Sequence, residues 1–411
     1  MKRLLWVLGM FLAAACVAPP VVTPAPTPAP STPMPTVAPS PPSPPEPATL
    51  TLWLPDWMLL ENRAAAALLQ ERIDIFAAEQ GIAVTLLPKL PRGQAGLFDF
   101  LSVTYPVAPG LLPDLMALPF SDVGPATNAG FLQPLQGILP ETLREPLFPA
   151  AQIVAVREQG WMAQPFLADF EHLAFQPAAL SDPPVDWRIL LESNTIYAFP
   201  TGSVESPLSD AIVLHYLSVL AGAEPRNEAA LRTLLTFYAN AGAGGRLDLA
   251  APASSAGETW LRLQQGNVTL GHTTAHLWLS NPEQASVLRF GPVPTADSTP
   301  RYITRGWAFG IVTVDAQRQQ RAAQLLAHLL APDFLAQWAY TAHYLPADRA
   351  TLARWPQSSF RTFAAEALEN AILRPTWSND PELARILQRA AQDVLRGMQP
   401  AAAAAAAAAA W

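Results

Sequence analysis

The stretch TLTLWLPDWMLLENRAAAALLQERIDIFAAEQGIAVTLLP, Thr49 to Pro88, sets the fold class. Thr49 to Leu54 reads as a strand that Pro55 stops, because proline offers no N–H to a ladder. Leu59 to Gln80 reads as one helix: Leu69, Ile73 and Phe76 fall at i, i+4 and i+7 on one face, and Gly81 supplies the stop. Ile82 to Pro88 reads as a second strand, and PDLMALP from Pro113 as a third. Strand–helix–strand repetition of this kind favours right-handed parallel β-α-β units. Helical patterns then dominate, at Leu208 to Ala221, Glu228 to Ala241, Ala316 to Leu330, Ala364 to Leu373 and Asp380 to Met398. Short strand candidates lie between them at Val268 to Gly271 and Trp307 to Val314. The periodicity predicts an α/β protein of more than one lobe.

Upstream, Lys2 and Arg3 precede an apolar run that ends in Ala13-Ala14-Ala15 and then Cys16. A basic start, about a dozen apolar residues and small residues before the break is a signal-peptide layout. It is too short for the roughly 20 apolar residues that a bilayer span needs. A cysteine at this place resembles the lipobox of bacterial lipoproteins, whose thiol takes a diacylglycerol. Leu12 stands one place earlier than the usual leucine, with Ala13 in its stead. The resemblance implies a leader over 1–15, lipid on Cys16, and an extracytoplasmic protein anchored to the cell membrane. Val17 to Ala48 is rich in Pro, Ala, Thr and Ser, with Glu46 its only charge. Such a segment favours extended polyproline II over a core and reads as a tether able to reach on the order of 100 Å.

The roughly 350 residues from Thr49 onward suffice for two domains or one large α/β unit. The formal charge of −8 becomes −10 once Lys2 and Arg3 leave with the leader. That balance, with no basic stripe, argues against nucleic acid as partner. Cys16 is the only cysteine, so the chain can build neither an internal disulfide nor a thiolate metal site. His272 and His276 stand at i, i+4 but lack the H-E-x-x-H pattern. No G-x-S-x-G elbow is present for a serine hydrolase. The glycines in GAGG, Gly242 to Gly245, follow a helix and mark a turn, not a dinucleotide loop. No metal and no cofactor is expected. Asp and Glu are plentiful enough to leave a two-carboxylate glycosidase open. Ala401 to Ala410 with Trp411 reads as a low-complexity tail over 399–411, a frayed helical extension without assigned function.

Six blocks in order carry a family resemblance. They are TLTLWLPDW from Thr49; LPDLMALPFSDVGPATNAGFLQPLQGIL from Leu112, with Asp114, Gly130 and Pro134-Leu135; and EQGWMAQPFLADFEHLAFQPAAL from Glu158, with Gly160, Pro165 and Phe175. TWLRLQQGNVTLGHTTAHLW from Thr259 follows, with Gly266, then the stretch around RGWAFGIV, and then AAQLLAHLLAPDFLAQWAYTAHYLPADRA. Together they resemble the extracellular solute-binding proteins of family 1, the maltose-binding type that serves ATP-binding-cassette importers. Gln176 stands where that pattern has Asn, Thr269-Leu270 where it has Ala-Met, and His343 where it commonly has Gly.

The resemblance implies an α/β, two-lobe, type II periplasmic-binding-protein-like fold whose lobes are joined by several hinge crossings. One lobe is expected over 49–168 and 308–347, the other over 169–307 and 348–398. It also implies a monomeric receptor without catalytic residues, which closes on a small solute, a sugar foremost, and passes it to permease subunits. Sugar sites pair aromatic faces with carboxylates and amides. On the family pattern the ligand contacts are Asp56 and Trp57 after the first strand, Ser121 and Asp122 after the third, and Asp169 in the PFLADF crossing. His276 and Trp278 come from the second lobe, Trp307 from RGWAFG, and Trp377 from LRPTWSND. The alternatives are a surface-anchored hydrolase of glycosidase type and a lipoprotein that senses without transporting.

Overall fold

The computed structural model of the protein describes residues 48–202, 208–249 and 255–411. The leader, Cys16 and the proline-rich tether lie outside the described residues. No helix among the described residues is long and apolar enough to cross a membrane.

The strands are β1 (Thr49–Pro55), β2 (Ala83–Lys89), β3 (Leu115–Pro119), β4 (Val156–Arg157), β5 (Gly160–Trp161), β6 (Gln164–Phe175), β7 (Tyr197–Ala198), β8 (Leu270–Thr274), β9 (Arg289–Gly291), β10 (Ile303–Ile311), β11 (Leu345–Pro346) and β12 (Ile372–Leu373). Ten of them form one sheet in the order β2-β1-β3-β10-β6-β8-β7, with β9 and β11 on β6 and β12 on β10. The remaining two, β4 and β5, make a small hairpin. As expected, β1 runs parallel to both β2 and β3.

The helix expected over Leu59 to Gln80 is two helices, Trp57–Leu60 and Arg63–Gln80. Asn62 makes the break. Its backbone is extended, and its side-chain oxygen accepts from the N–H groups of Ala64 and Ala65, both at 3.1 Å. Capping of this kind starts a helix afresh because it satisfies otherwise orphaned donors. Its amide also donates to the Thr341 carbonyl at 2.7 Å, which fixes the break against a distant helix end. Gly81 ends the second helix in the left-handed region at φ 61°, where glycine carries no Cβ penalty. The helix expected from Ala364 to Leu373 instead spans Ser359–Glu369, and Ile372–Leu373 is β12, paired in parallel with Ile303 and Thr304 of β10.

Strand β6 is buried along all twelve residues, and its two halves serve different neighbours. Gln164 to Phe170 pairs with β10, while Glu171 to Phe175 pairs with β8. The chain thus changes partners between Phe170 and Glu171, beside the expected lobe crossing at Asp169. Gly306 permits the close approach of β10 here: a Cβ at that position would lie 2.1 Å from the Leu167 carbonyl oxygen and 2.7 Å from Phe120.

Two apolar cores flank the sheet. One gathers β1, β3, the first half of β6 and the helix Ala316–Leu329. It also takes Trp260, Trp278, Phe360 and Ala364, which the expected lobe limits assign to the other side. The second gathers Tyr197, helices Asp210–Leu220 and Glu228–Ala243, and helix Pro381–Leu395. The alanine tail is part of this second core and not a frayed extension. Helix Pro400–Ala408 buries Ala403, Ala404 and Ala407, and Trp411 packs on the same cluster. A side chain no larger than a methyl lets the helix lie close on its neighbours, which compensates for the lack of larger apolar groups.

Candidate functional site

The site forms where strand ends converge. Trp307 on β10 lies opposite Pro119, at the carboxyl end of β3, and β3 is in register with β1. Trp57, two residues past β1, therefore reaches Trp307, with ring centroids 5.7 Å apart. Space outside the carboxyl ends of parallel strands is the usual place for ligands in open α/β sheets. Trp57 also lies 4.6 Å from the ring of Tyr344, just before β11. Tyr344 in turn stacks on His276 at 4.0 Å and 18°. Four partly buried rings thus run Trp307–Trp57–Tyr344–His276. Beside them opens a cavity of about 510 Å³, whose lining includes Trp57, Glu61, Arg63, His276, Ser280 and His343.

His276 is held at three points. Its backbone N–H donates to Asp169 Oδ1 at 2.9 Å, its Nδ1 donates to the His343 carbonyl at 3.0 Å, and its ring lies on Tyr344. His343 has a left-handed backbone, with φ 62°. Burial lowers its pKa, and the neighbouring His276 lowers it further. Burial raises the Tyr344 hydroxyl, helped by the charge of Asp169.

Asp169 is buried, and both of its oxygens are engaged, Oδ1 by His276 and Oδ2 by Arg305 Nε at 3.4 Å. Arg305 also faces Asp210 at 3.4 Å and Glu171 at 3.8 Å. Arg374 binds Asp210 as well and donates to the Leu208 carbonyl at 2.6 Å. Burial disfavours the Arg305 cation, but the three carboxylates outweigh it and the guanidinium pKa is raised. Burial raises the Asp210 carboxyl, with the Glu171 charge adding to it, against the pull of Arg305 and Arg374. This cluster ties β6 and β10 to the first turn of helix Asp210–Leu220.

The expected contacts divide. Trp57, Trp307, His276 and Asp169 come together. Asp56 caps the short helix Trp57–Leu60, accepting from the Trp57 N–H at 2.9 Å. Ser121 donates to Asp122 at 2.8 Å and receives Arg92 at 3.4 Å, a polar group at the start of helix Phe120–Asn128. Burial raises the Asp122 carboxyl, while Ser121 and Arg92 lower it. Trp278 does not reach the site: it is 6% exposed, stacked on Phe360 and edge-on to Trp260. Trp377 packs on Tyr216 at the rim of the second core. Tyr344 and Arg305 were missed. Arg305 was accessible to a period-two reading, because it stands two residues from Trp307 and pairs directly with Asp169. Tyr344 had no comparable signal.

No family model matches the chain, and no curated protein matches it. Solved structures do. The cyclic α-maltosyl-1,6-maltose binding protein of Arthrobacter globiformis aligns with TM-score 0.68 and 16% identity, over 89% of this chain and 98% of that one. Maltose-bound MalE3 of T. maritima aligns with TM-score 0.67 and 18% identity, over 88% and 98%. The GacH receptor of Streptomyces glaucescens, known unliganded and with acarbose, aligns with TM-score 0.65 and 16% identity, over 88% and 97%. Such identities speak to architecture, and the chain has the two-lobed type II α/β fold of the maltose-binding proteins.

Proposed function

We propose that the chain is a lipid-anchored, extracytoplasmic receptor that captures a sugar or oligosaccharide between its lobes and delivers it to an ATP-binding-cassette importer, with no catalysis of its own. The observation that carries this reading is the run of four rings at the strand ends, beside Asp169 and the cavity. Rings cover the C–H faces of a pyranose, and carboxylates and guanidinium groups take its hydroxyls. The structural neighbours bind maltose, a cyclic maltosyl-maltose and acarbose, which supports an α-glucan or a relative of one.

The lobes divide at 168/169, 307/308 and 347/348, and Trp57 and Tyr344 from one meet His276 from the other. Closure of such jaws stabilises the bound state, and the importer reads it. Asp56, Ser121 and Asp122 supply the polar rim on the first lobe. Thermal unfolding of the chain with maltose, maltotriose, a cyclic maltooligosaccharide and cellobiose tests the sugar reading. At a hundredfold excess over Kd, a ligand adds about 2.7 kcal/mol of stability. An unchanged Tm with all four sugars would reject the α-glucan assignment. Radiolabelled palmitate should mark the wild type and not Cys16→Ser; equal labelling would reject the anchor.

A further inference from the structure

From Glu171, beside Arg305, runs a chain of hydrogen bonds made of buried groups. Glu171 Oε2 on β6 meets His272 Nδ1 on β8 at 3.2 Å. His272 Nε2 meets the Tyr197 hydroxyl on β7 at 2.5 Å. The same hydroxyl meets His215 Nε2 at 3.1 Å, and His215 Nδ1 meets the Tyr238 hydroxyl at 3.0 Å. Glu171 is 5% exposed and the other four residues are 0% exposed. Each inner atom can donate or accept, so the chain has two possible orders.

In the first order Tyr238 O–H donates to His215 Nδ1, His215 Nε2–H to Tyr197, Tyr197 O–H to His272 Nε2, and His272 Nδ1–H to the Glu171 carboxylate. Every proton then has an acceptor. The reverse order needs a protonated Glu171 and leaves the Tyr238 O–H without an acceptor among the described residues, a costly state for a buried donor. Burial pushes the Glu171 carboxyl up and the Asp169 charge adds to it, against the Arg305 guanidinium 3.8 Å from Oε1; the ionised form is the one that leaves no donor of the chain stranded.

We infer that Glu171 sets the direction of this chain and, gripped from behind by His272, is the positioning residue that holds Arg305 against Asp169, the carboxylate that fixes His276. The purpose assigned to Arg305 rests on the sugar-site reading; the direction of the chain does not, and its test needs no ligand. The full chain with ¹⁵N-labelled histidine is observed by NMR at pH 7. His272 is expected protonated on Nδ1 alone and His215 on Nε2 alone. Tyr238→Phe removes only the donor end, and both tautomers should persist.

Glu171→Leu removes the acceptor that gives the chain its direction. Neither order then pairs every proton, because either His272 Nδ1–H or Tyr238 O–H is stranded, so both histidines, including His215, which does not touch residue 171, should lose their single tautomers and show a mixture of the two. The Arg305 Nε–H signal, identified by its loss in Arg305→Lys, should exchange with solvent at least tenfold faster in Glu171→Leu than in wild type. The reverse order in wild type, a charged imidazole at either site, or reversal in Tyr238→Phe would overturn the direction; should Glu171→Leu fail to fold, these spectra decide alone. A single tautomer kept at His215 in a folded Glu171→Leu would do the same, and unchanged Arg305 exchange would remove the positioning role. Sugar binding that fails while the tautomers hold would reject the ligand and leave the chain intact.

Discussion

Trp57 follows β1 by two residues and Trp278 follows β8 by four, yet their surroundings give them opposite parts. Trp278 fills a cluster of rings that includes Phe360, Trp260, Phe290 and His172, with no room for a ligand. Trp57 is partly exposed and faces the cavity. Trp278→Ala should therefore cost about 3–5 kcal/mol of stability, as large-to-small changes of a core aromatic do. Trp57→Ala should cost less than half as much, because only part of its ring is buried. Urea unfolding of the two variants measures the contrast, and equal losses would contradict it. The carboxylate at Asp169 differs again. Its oxygens already serve His276 and Arg305, so it organises the site as much as it faces it.

At the scale of elements, the alanine-rich end behaves as a structural helix. Ala403, Ala404 and Ala407 lie at most 5% exposed against helices of the second core. Three buried methyl groups at about 0.8 kcal/mol each amount to roughly 2 kcal/mol. Deleting 399–411 should therefore lower Tm by several degrees, read by calorimetry; a Tm equal to that of the full chain would mean that the helix does not dock. The break at Asn62 makes a matching case. Asn62→Ala loses a cap worth about 1 kcal/mol in similar helices, together with the tie to Thr341. Hydrogen exchange at Ala64 and Ala65 should speed up in that variant.

For the molecule as a whole, buried imidazoles set the response to acid. Burial lowers the pKa of His172 to about 4 and of His272 to about 3, and holds His215 well below 6.5. In the unfolded chain all three take up protons near pH 6.5; in the folded chain they do not until the pH is far lower. Their contribution is therefore full above 6.5 and declines as the pH falls toward 4. A full unit below 6.5 it has fallen by about 1.4 kcal/mol per histidine. Glu171 and Asp210, raised by burial, act in the opposite sense on the acid side. Tm should fall steadily between pH 7 and pH 5, and a flat profile would show that these histidines are not buried neutral. The proposed hinge closure is tested at the same scale. A stabilising sugar should also reduce the radius of gyration in solution scattering, and stabilisation without compaction would argue against the two-jaw mechanism.

The α/β class, the parallel register of β1 with its neighbours, and most helix positions were legible in the residues, because apolar spacing and Pro or Gly stops are local properties. The order of six blocks carried the architecture, although each block alone is weak. Of the nine residues expected at the ligand, four, Trp57, Asp169, His276 and Trp307, are brought near one another by the fold. What the residues left open was which aromatic side chains face the cleft. Trp278 and Trp57 look alike in sequence, and only the packing of distant segments such as Phe360 and Tyr344 separates them. Arg305 belongs to the same kind. Its meaning comes from three carboxylates, two of them on β6 and one at a helix start, brought together where β6 changes partners. The alanine tail shows the limit most plainly: low complexity says nothing of docking, because the surface that receives it is built largely by helix Glu228–Ala243, far earlier in the chain, with Pro381–Leu395 beside it.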